Sequence, residues 1–335
     1  MVWITRHWQR TTVISALLLP VSWIYCALVG LRYRLYRIGI IPSHRLSVPV
    51  VVVGNITVGG TGKTPMVIWL AQYLLKKGYH PGIVSRGYRG SLRVWPQKVT
   101  ANSDPVVVGD EPVLLARHSG CPVVVDPNRV RGAKHLIESF QCSIIVSDDG
   151  MQHYALSRDI EIAIIDGDRR FGNGHCLPAG PLREPVTRLQ RAHLSLINGR
   201  AGTKEYAMTL RATGFCRLNE DVIEDVDNGF FEGKSVHAVA GIGNPARFFT
   251  QLRSMGIEVL EHPYADHHNY QPEDLQFNDN RPVIMTEKDA VKCRQFQSLL
   301  EQAPDRYWYL SVEAVPDNAI EELILNLLPE TPTRG

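Results

Sequence analysis

No aspartate or glutamate occurs in the first 103 residues of this 335-residue chain. Thirteen lysines and arginines do, and the remaining residues hold 23 basic against 34 acidic side chains. The net charge of +2 therefore averages two unlike parts. A cationic N-terminal end calls for an anionic partner, either a membrane surface or a nucleic acid. Cysteine is sparse and scattered: Cys26, Cys121, Cys142, Cys176, Cys216 and Cys293 form no C-x-x-C pair. That argues against a disulfide framework or a zinc site and fits a reducing compartment. Internal repeats and low-complexity tracts are missing too. With 44% hydrophobic and 21% charged residues, the composition is that of a globular chain, long enough for two domains with separate cores.

Charge is absent again from VISALLLPVSWIYCALVGL, the 19 residues 13–31. As a helix this run is about 28 Å long, close to a bilayer core of about 30 Å. Arg6 and Arg10 precede it, Arg32, Arg34 and Arg37 follow it, and Trp3, Trp8, Trp23, Tyr33 and Tyr36 suit headgroup depth. The basic LRYRLYR after it makes a poor signal-peptide cleavage site. Pro20, Ser15 and Ser22 weaken a simple span, so an interfacial helix and a crossing one both stay open. A crossing helix would leave the main body in the cytoplasm, because the larger positive excess follows it.

What is present next is a phosphate cradle. Residues 50–53, four valines, read as a buried strand. The glycines Gly59, Gly60 and Gly62 follow, then Lys63, Thr64 and an apolar helical pattern over 66–75 that Pro65 suits in its first turn. In such a loop the backbone amides and helix dipole hold phosphate, Lys63 neutralises it and Thr64 ligates Mg²⁺. The common form would place glycine at position 57, where this chain has Thr57. The loop Thr57, Val58, Gly59, Gly60, Thr61, Gly62, Lys63 and Thr64 is the candidate nucleotide site.

Beyond Gly78 strands and helices alternate, which predicts a mainly parallel sheet. CSIIVSDDG is a buried strand ending in Asp148 and Asp149, where P-loop enzymes hold a Mg²⁺-binding aspartate; AHLSLING, residues 192–199, should close the first sheet. The fold class is thus α/β: a P-loop-type domain over 47–205, a β-type connector over 206–232 and a smaller α/β domain over 233–330, preceded by the N-terminal segment 1–46. GIGNP lacks the third glycine of a dinucleotide loop and reads as a plain βα turn. Asp110 and Glu111 start a helix in VGDEPVLLA, where acids serve as caps. HPYADHHNY offers His262, Asp266, His267 and His268; its spacing suits a base held by a carboxylate better than a metal. Arg183 in GPLREP is placed to steady phosphate charge.

Taken in order, GNITVGGTGKTP, VSRGYRG, GDEPVLLA, DDGMQH, GDRRFGNGHCLPAGPLREP, AGIGNP, ADHHNY and TEKDAVK resemble the tetraacyldisaccharide 4'-kinase family across nearly the whole chain. The family's loop resembles VGGTGKT, which accounts for Thr57. The resemblance implies MgATP-dependent phosphorylation of the 4'-hydroxyl of a tetraacylated glucosamine disaccharide 1-phosphate, giving lipid IVA at the cytoplasmic face of the inner membrane. It also implies Asp110 as general base supported by His267, a metal site at Asp148, Asp149 and Thr64, phosphate contacts from Lys63, and Arg183 assisting transfer. Its partners would be the lipid A disaccharide precursor and the membrane surface, with no nucleic acid; the sequence names no protein partner. A membrane-associated ATPase of the partitioning or carrier type would carry its signature lysine at position 58, which is Val58. A nucleic-acid-binding NTPase would use Arg86, Arg89 and Arg93 with Tyr88 and Trp95, and the apolar segment argues against it.

Overall fold

Val50 to Val53 show no polar alternation, and a strand of that kind belongs where both faces are covered. In the computed structural model, which describes residues 7–87, 90–91, 94–219 and 229–328, it lies deep inside a sheet. Trp3, Arg6, Tyr88, Arg89, Arg93 and residues 220–228 of the acidic stretch lie outside the described residues.

The strands are β1 (Val50–Gly54), β2 (Pro81–Ser85), β3 (Gln97–Val99), β4 (Val123–Val125), β5 (Ile144–Asp148), β6 (Ile160–Asp166) and β7 (Leu194–Asn198), then β8 (Tyr206–Arg217), β9 (Ser235–Ala240), β10 (Glu258–Pro263), β11 (Val283–Thr286) and β12 (Tyr307–Pro316). The helices are α1 (Val13–Arg37), α2 (Lys63–Lys76), α3 (Pro105–Val108), α4 (Asp110–His118), α5 (Arg129–Phe140), α6 (Pro245–Ser254), α7 (Glu287–Cys293), α8 (Gln297–Gln302) and α9 (Ala319–Leu327). Among the described residues all twelve strands join one sheet, in the order β10-β9-β11-β12-β8-β7-β6-β1-β5-β2-β4-β3. β1 pairs in parallel with β5 on one side and β6 on the other, with Val53 opposite Asp148 and Gly54 opposite Ala163. The C-terminal ends of β1, β2, β5, β6 and β7 therefore face the same way, and that register gathers their last side chains.

β7 does not close the first sheet. It pairs in parallel with β8, whose twelve residues then run antiparallel to β12 from Arg217 opposite Trp308 to Met208 opposite Pro316. The alternating pattern of 206–232 reads in sequence as a β-type connector, and Tyr206–Arg217 form a strand that joins the two halves. The packing agrees: one core cluster takes Met66, Leu70 and Leu74 of α2 together with Val291 of α7, Ala314 of β12 and Ile320 and Ile324 of α9.

Helix α1 is capped by Thr12, whose hydroxyl accepts from the Ser15 amide, and it continues through Pro20. Its buried residues are Ser15 and Ser22. The Ser22 hydroxyl donates to the Cys176 carbonyl at 2.8 Å, the Tyr25 hydroxyl to the Arg183 carbonyl at 3.0 Å, and the rings of Tyr33 and Tyr36 lie against Tyr154. Val13, Leu17, Val21, Ile24, Leu28 and Leu31, at helical spacing on the other side, are 52% to 78% exposed. The polar face packs inward and the apolar face points out, the reverse of an ordinary surface helix.

Candidate active site

The phosphate loop runs from β1 into α2 and is held from its outer side. The Asn55 amide donates to the Thr61 hydroxyl at 3.2 Å, and the Asn198 amide, from the end of β7, donates to the Thr61 carbonyl at 2.9 Å. The guanidinium of Arg169 donates to the Gly60 carbonyl and, at 3.0 Å, to the Gly243 carbonyl of GIGNP. With these carbonyls occupied, the amides of the same peptides turn toward the opposite side, where a phosphate cradle needs them. Val58 and Thr57 are tied elsewhere: the Val58 amide donates to the Pro181 carbonyl at 2.9 Å, and Thr57 bridges Leu182. Gly62 takes a left-handed backbone (φ 92°), and a Cβ there would strike the Asn198 amide. Gly243 approaches so closely that a Cβ on it would lie 2.5 Å from the Gly60 nitrogen.

Two carboxylates end β5. Asp148 accepts from the Ser85 hydroxyl at 3.0 Å through Oδ2, while Oδ1 is buried without a hydrogen-bond partner. Burial, helped by the charges of Glu111 and Asp149, pushes its carboxyl up to about 7. Asp149 takes a left-handed backbone (φ 47°), which an aspartate tolerates better than most residues. Its carboxylate sits between Lys63, 3.6 Å away, and Arg183, whose Nη1 donates to both oxygens at 2.9 and 3.1 Å. Burial raises its pKa, but the neighbouring cations Lys63 and Arg183 outweigh that, so it stays well below the usual carboxylate range. Adjacent residues thus carry opposite shifts, the pattern of a site that sorts charge.

Asp110, first residue of α4, is buried, and its Oδ2 lies 3.0 Å from Nδ1 of His267 in the second half of the chain. Burial pushes the Asp110 carboxyl up; the hydrogen bond to His267 and the charges of Lys288 and Lys292 more than reverse that and hold it ionised. His267 adopts a left-handed backbone (φ 59°), and its amide donates to the Gly241 carbonyl at 3.1 Å, which fixes the ring toward Asp110. The Asp110–His267 pair stands near the carboxylate pair, since Glu111 beside Asp110 lies within electrostatic reach of Asp148. His262 points elsewhere, its Nε2 lying 2.9 Å from Nδ1 of His237. Among the described residues no group of three His, Cys, Asp or Glu is arranged as metal ligands.

Residues 14–329 match the tetraacyldisaccharide-1-P 4'-kinase family. The chain belongs to it. It is 52% identical to a tetraacyldisaccharide 4'-kinase of Alkalilimnicola ehrlichii, over 90% of this chain and 89% of the relative. It is 46% identical to one of Nitrosococcus oceani, over 98% and 94%. Among solved structures it resembles an "apo" form of LpxK from Aquifex aeolicus in complex with ATP, with a TM-score of 0.76 and 28% identity, covering 95% of this chain and 100% of that one.

The kinase chain thus brings together Lys63, Asp148, Asp149 and Arg183, and separately Asp110 and His267. Sequence reasoning missed Arg169, Asn198 and Gly243. Asp166, at the end of buried β6, accepts from the Arg169 amide at 2.9 Å and from its guanidinium at 3.1 Å, and so aims that side chain. A second strand-end aspartate beside a glycine loop was the available signal. Arg169→Ala should weaken binding of a nucleoside triphosphate about tenfold, because an ionic hydrogen bond holding the loop is worth about 1.5–3 kcal/mol. Titration calorimetry on the folded variant measures this, and unchanged affinity would show that the clamp does not shape the loop.

Proposed function

We propose that this chain transfers the γ-phosphoryl group of ATP to the 4'-hydroxyl of a tetraacylated glucosamine disaccharide 1-phosphate, giving lipid IVA, at the cytoplasmic surface of the inner membrane. The observation that carries the reading is an ionised aspartate held by a histidine from the other half of the chain, in a protein that also carries a phosphate loop. Lys63 neutralises the β- and γ-phosphates, and the loop amides from Gly59 to Thr64 bind them. Arg183 steadies charge on the transferring group. The acceptor hydroxyl forms its bond to the γ-phosphorus as the bond to the bridging oxygen of ADP breaks, and the hydroxyl proton passes to Asp110. A carboxylate held this far toward its ionised form takes that proton late, which suits a loose transition state.

The residues present fit Mg²⁺. Asp148 keeps a buried oxygen without a partner, it is crowded by two further carboxylates, and Thr64 lies in the first turn of α2. Such hard oxygen donors are those Mg²⁺ prefers, and when bound it supplies positive charge to the phosphate oxygens. Asp148, Asp149 and Thr64 would hold it or its waters.

The outward apolar face of α1 supports a place on the bilayer. Docked along one side from Ser15 to Tyr36, the helix lies against the kinase body, with Val13 to Leu31 entering the interface and the arginines near its ends meeting lipid headgroups.

Incubating the full chain with radiolabelled ATP and the disaccharide 1-phosphate should move label to the lipid, and Lys63→Ala should abolish transfer while the chain stays folded. Label released only as inorganic phosphate would overturn the reading in favour of an ATPase. Proton and cation compete for Asp148, whose raised pKa means that the folded protein holds a proton up to about pH 7. Metal-free stability therefore falls between about pH 4 and pH 7, and Mg²⁺ affinity rises over the same window, being about tenfold weaker at pH 6 than at pH 8. A flat pH dependence of Mg²⁺ binding would remove Asp148 from the metal site. Replacing Leu17, Ile24 and Leu28 together by Glu should release the chain from anionic vesicles in a flotation assay; full retention would place the anchor elsewhere.

A further inference from the structure

TEKDAVK contributes Thr286 to the cap of α7, through a hydroxyl that accepts from the Asp289 amide, and then sends Lys288 into the crevice. The Lys288 ammonium lies 3.3 Å from Nε2 of His267, donates to Glu111 at 3.0 Å and stands 3.6 Å from Asp266. Nδ1 of the same imidazole faces Asp110 at 3.0 Å. An ammonium has hydrogens and no lone pair, so its partner at Nε2 must be an acceptor. That leaves the ring proton on Nδ1, directed at the carboxylate. The opposite tautomer would oppose N–H to ammonium on one side and a lone pair to a carboxylate on the other; Asp266, at 3.9 Å from Nε2, is too far to accept from it. Burial disfavours the Lys288 charge, but the carboxylates of Glu111, Asp110 and Asp266 outweigh that and keep it protonated.

We propose that Lys288 is a positioning residue for phosphoryl transfer: by donating to Nε2 it fixes His267 as the Nδ1–H tautomer that orients Asp110. The inference rests on the reading of Asp110 as the base. Lys288 and His267 come from the same half of the chain, whereas Asp110 comes from the other. With Nδ1 donating and Nε2 engaged by Lys288, the imidazole presents no lone pair to the acceptor. The hydroxyl proton consequently ends on Asp110, and His267 aligns the carboxylate without relaying the proton. Lys292 adds charge near Asp110 but donates to Asp289 at 2.9 Å and to the His268 carbonyl at 3.0 Å, and so serves the neighbouring cap.

The test is nitrogen NMR on the full chain in detergent micelles with labelled histidine, the His267 signals being assigned by their loss in His267→Asn. At neutral pH wild type should show Nδ1 protonated and Nε2 bare, and Lys288→Arg, which keeps a cationic donor, should preserve that pattern. Lys288→Met should populate the other tautomer or the doubly protonated ring and lower kcat about tenfold with KM for ATP unchanged. A wild-type ring protonated at Nε2 would overturn the proposal, and so would a Lys288→Met ring identical to wild type. The tautomer is read without turnover, so its failure leaves the kinase reading standing, whereas absence of phosphoryl transfer by wild type would overturn that reading and not the tautomer.

Discussion

Parallel strand ends force like charges together. β5 delivers Asp148 and Asp149, and β6 delivers Asp166, to the same rim as the phosphate loop. Such a cluster is tolerable only if cations reach it from other parts of the chain. Arg183 and Lys63 hold Asp149, Arg169 answers Asp166, and the Arg129 guanidinium donates to the Asp148 carbonyl at 3.0 Å. Asp148 alone keeps an uncompensated oxygen, and its opposite protonation behaviour from Asp149 follows from which cations reach it. In the proposed reaction that unbalanced position is where a divalent cation completes the site.

The same crevice depends on the sheet being continuous. Because β8 bridges β7 and β12, the GIGNP loop after β9 is carried to the phosphate loop and the ADHHNY loop after β10 to Asp110. Gly243 touches Gly60, and His267 touches Asp110. Arg247 of α6 adds a third contact, donating to the Asn198 carbonyl at 2.9 Å. The Asn198 side chain holds Thr61, so one residue at a strand end, through its carbonyl and its side chain, links the second half to the loop. The two halves share packing as well as chemistry, which limits how freely they can part.

Much of the site was legible because its residues advertise themselves by type and spacing. Lys63 follows a glycine run, and Asp148 and Asp149 end an apolar strand. The α/β class followed from alternating patterns alone. The pairing of Asp110 with His267 spans 157 positions and came only from resemblance, since no local period links them. Arg169 and Asn198 escaped because their partners are backbone carbonyls, which every residue carries and no sequence pattern marks. GIGNP reads as a plain turn for a related reason: its function is close approach, and the signature of close approach is a missing side chain. Where the first sheet ends is not legible, because half-exposed alternation looks alike in a strand that ends a sheet and in one that continues it.

The apolar helix and the crevice are closer in structure than in sequence. Tyr25 of α1 donates to the Arg183 carbonyl, and the Arg183 guanidinium grips Asp149, so a single residue separates the outward-facing apolar helix from the carboxylate pair. On the same side the Tyr154 hydroxyl and Arg188 converge on Glu184, while the rings of Tyr33 and Tyr36 cover Tyr154. Gln152 extends this buried polar layer to the loop by donating to the Asn55 carbonyl at 3.0 Å. A helix whose polar face must be satisfied by this layer cannot turn its apolar face inward, and water cannot satisfy the face left outside. An amphiphilic acceptor with acyl chains in the bilayer and a sugar hydroxyl at the crevice would meet both requirements at once. On the proposed function, this is what a short linker between a phosphate loop and such a helix would serve.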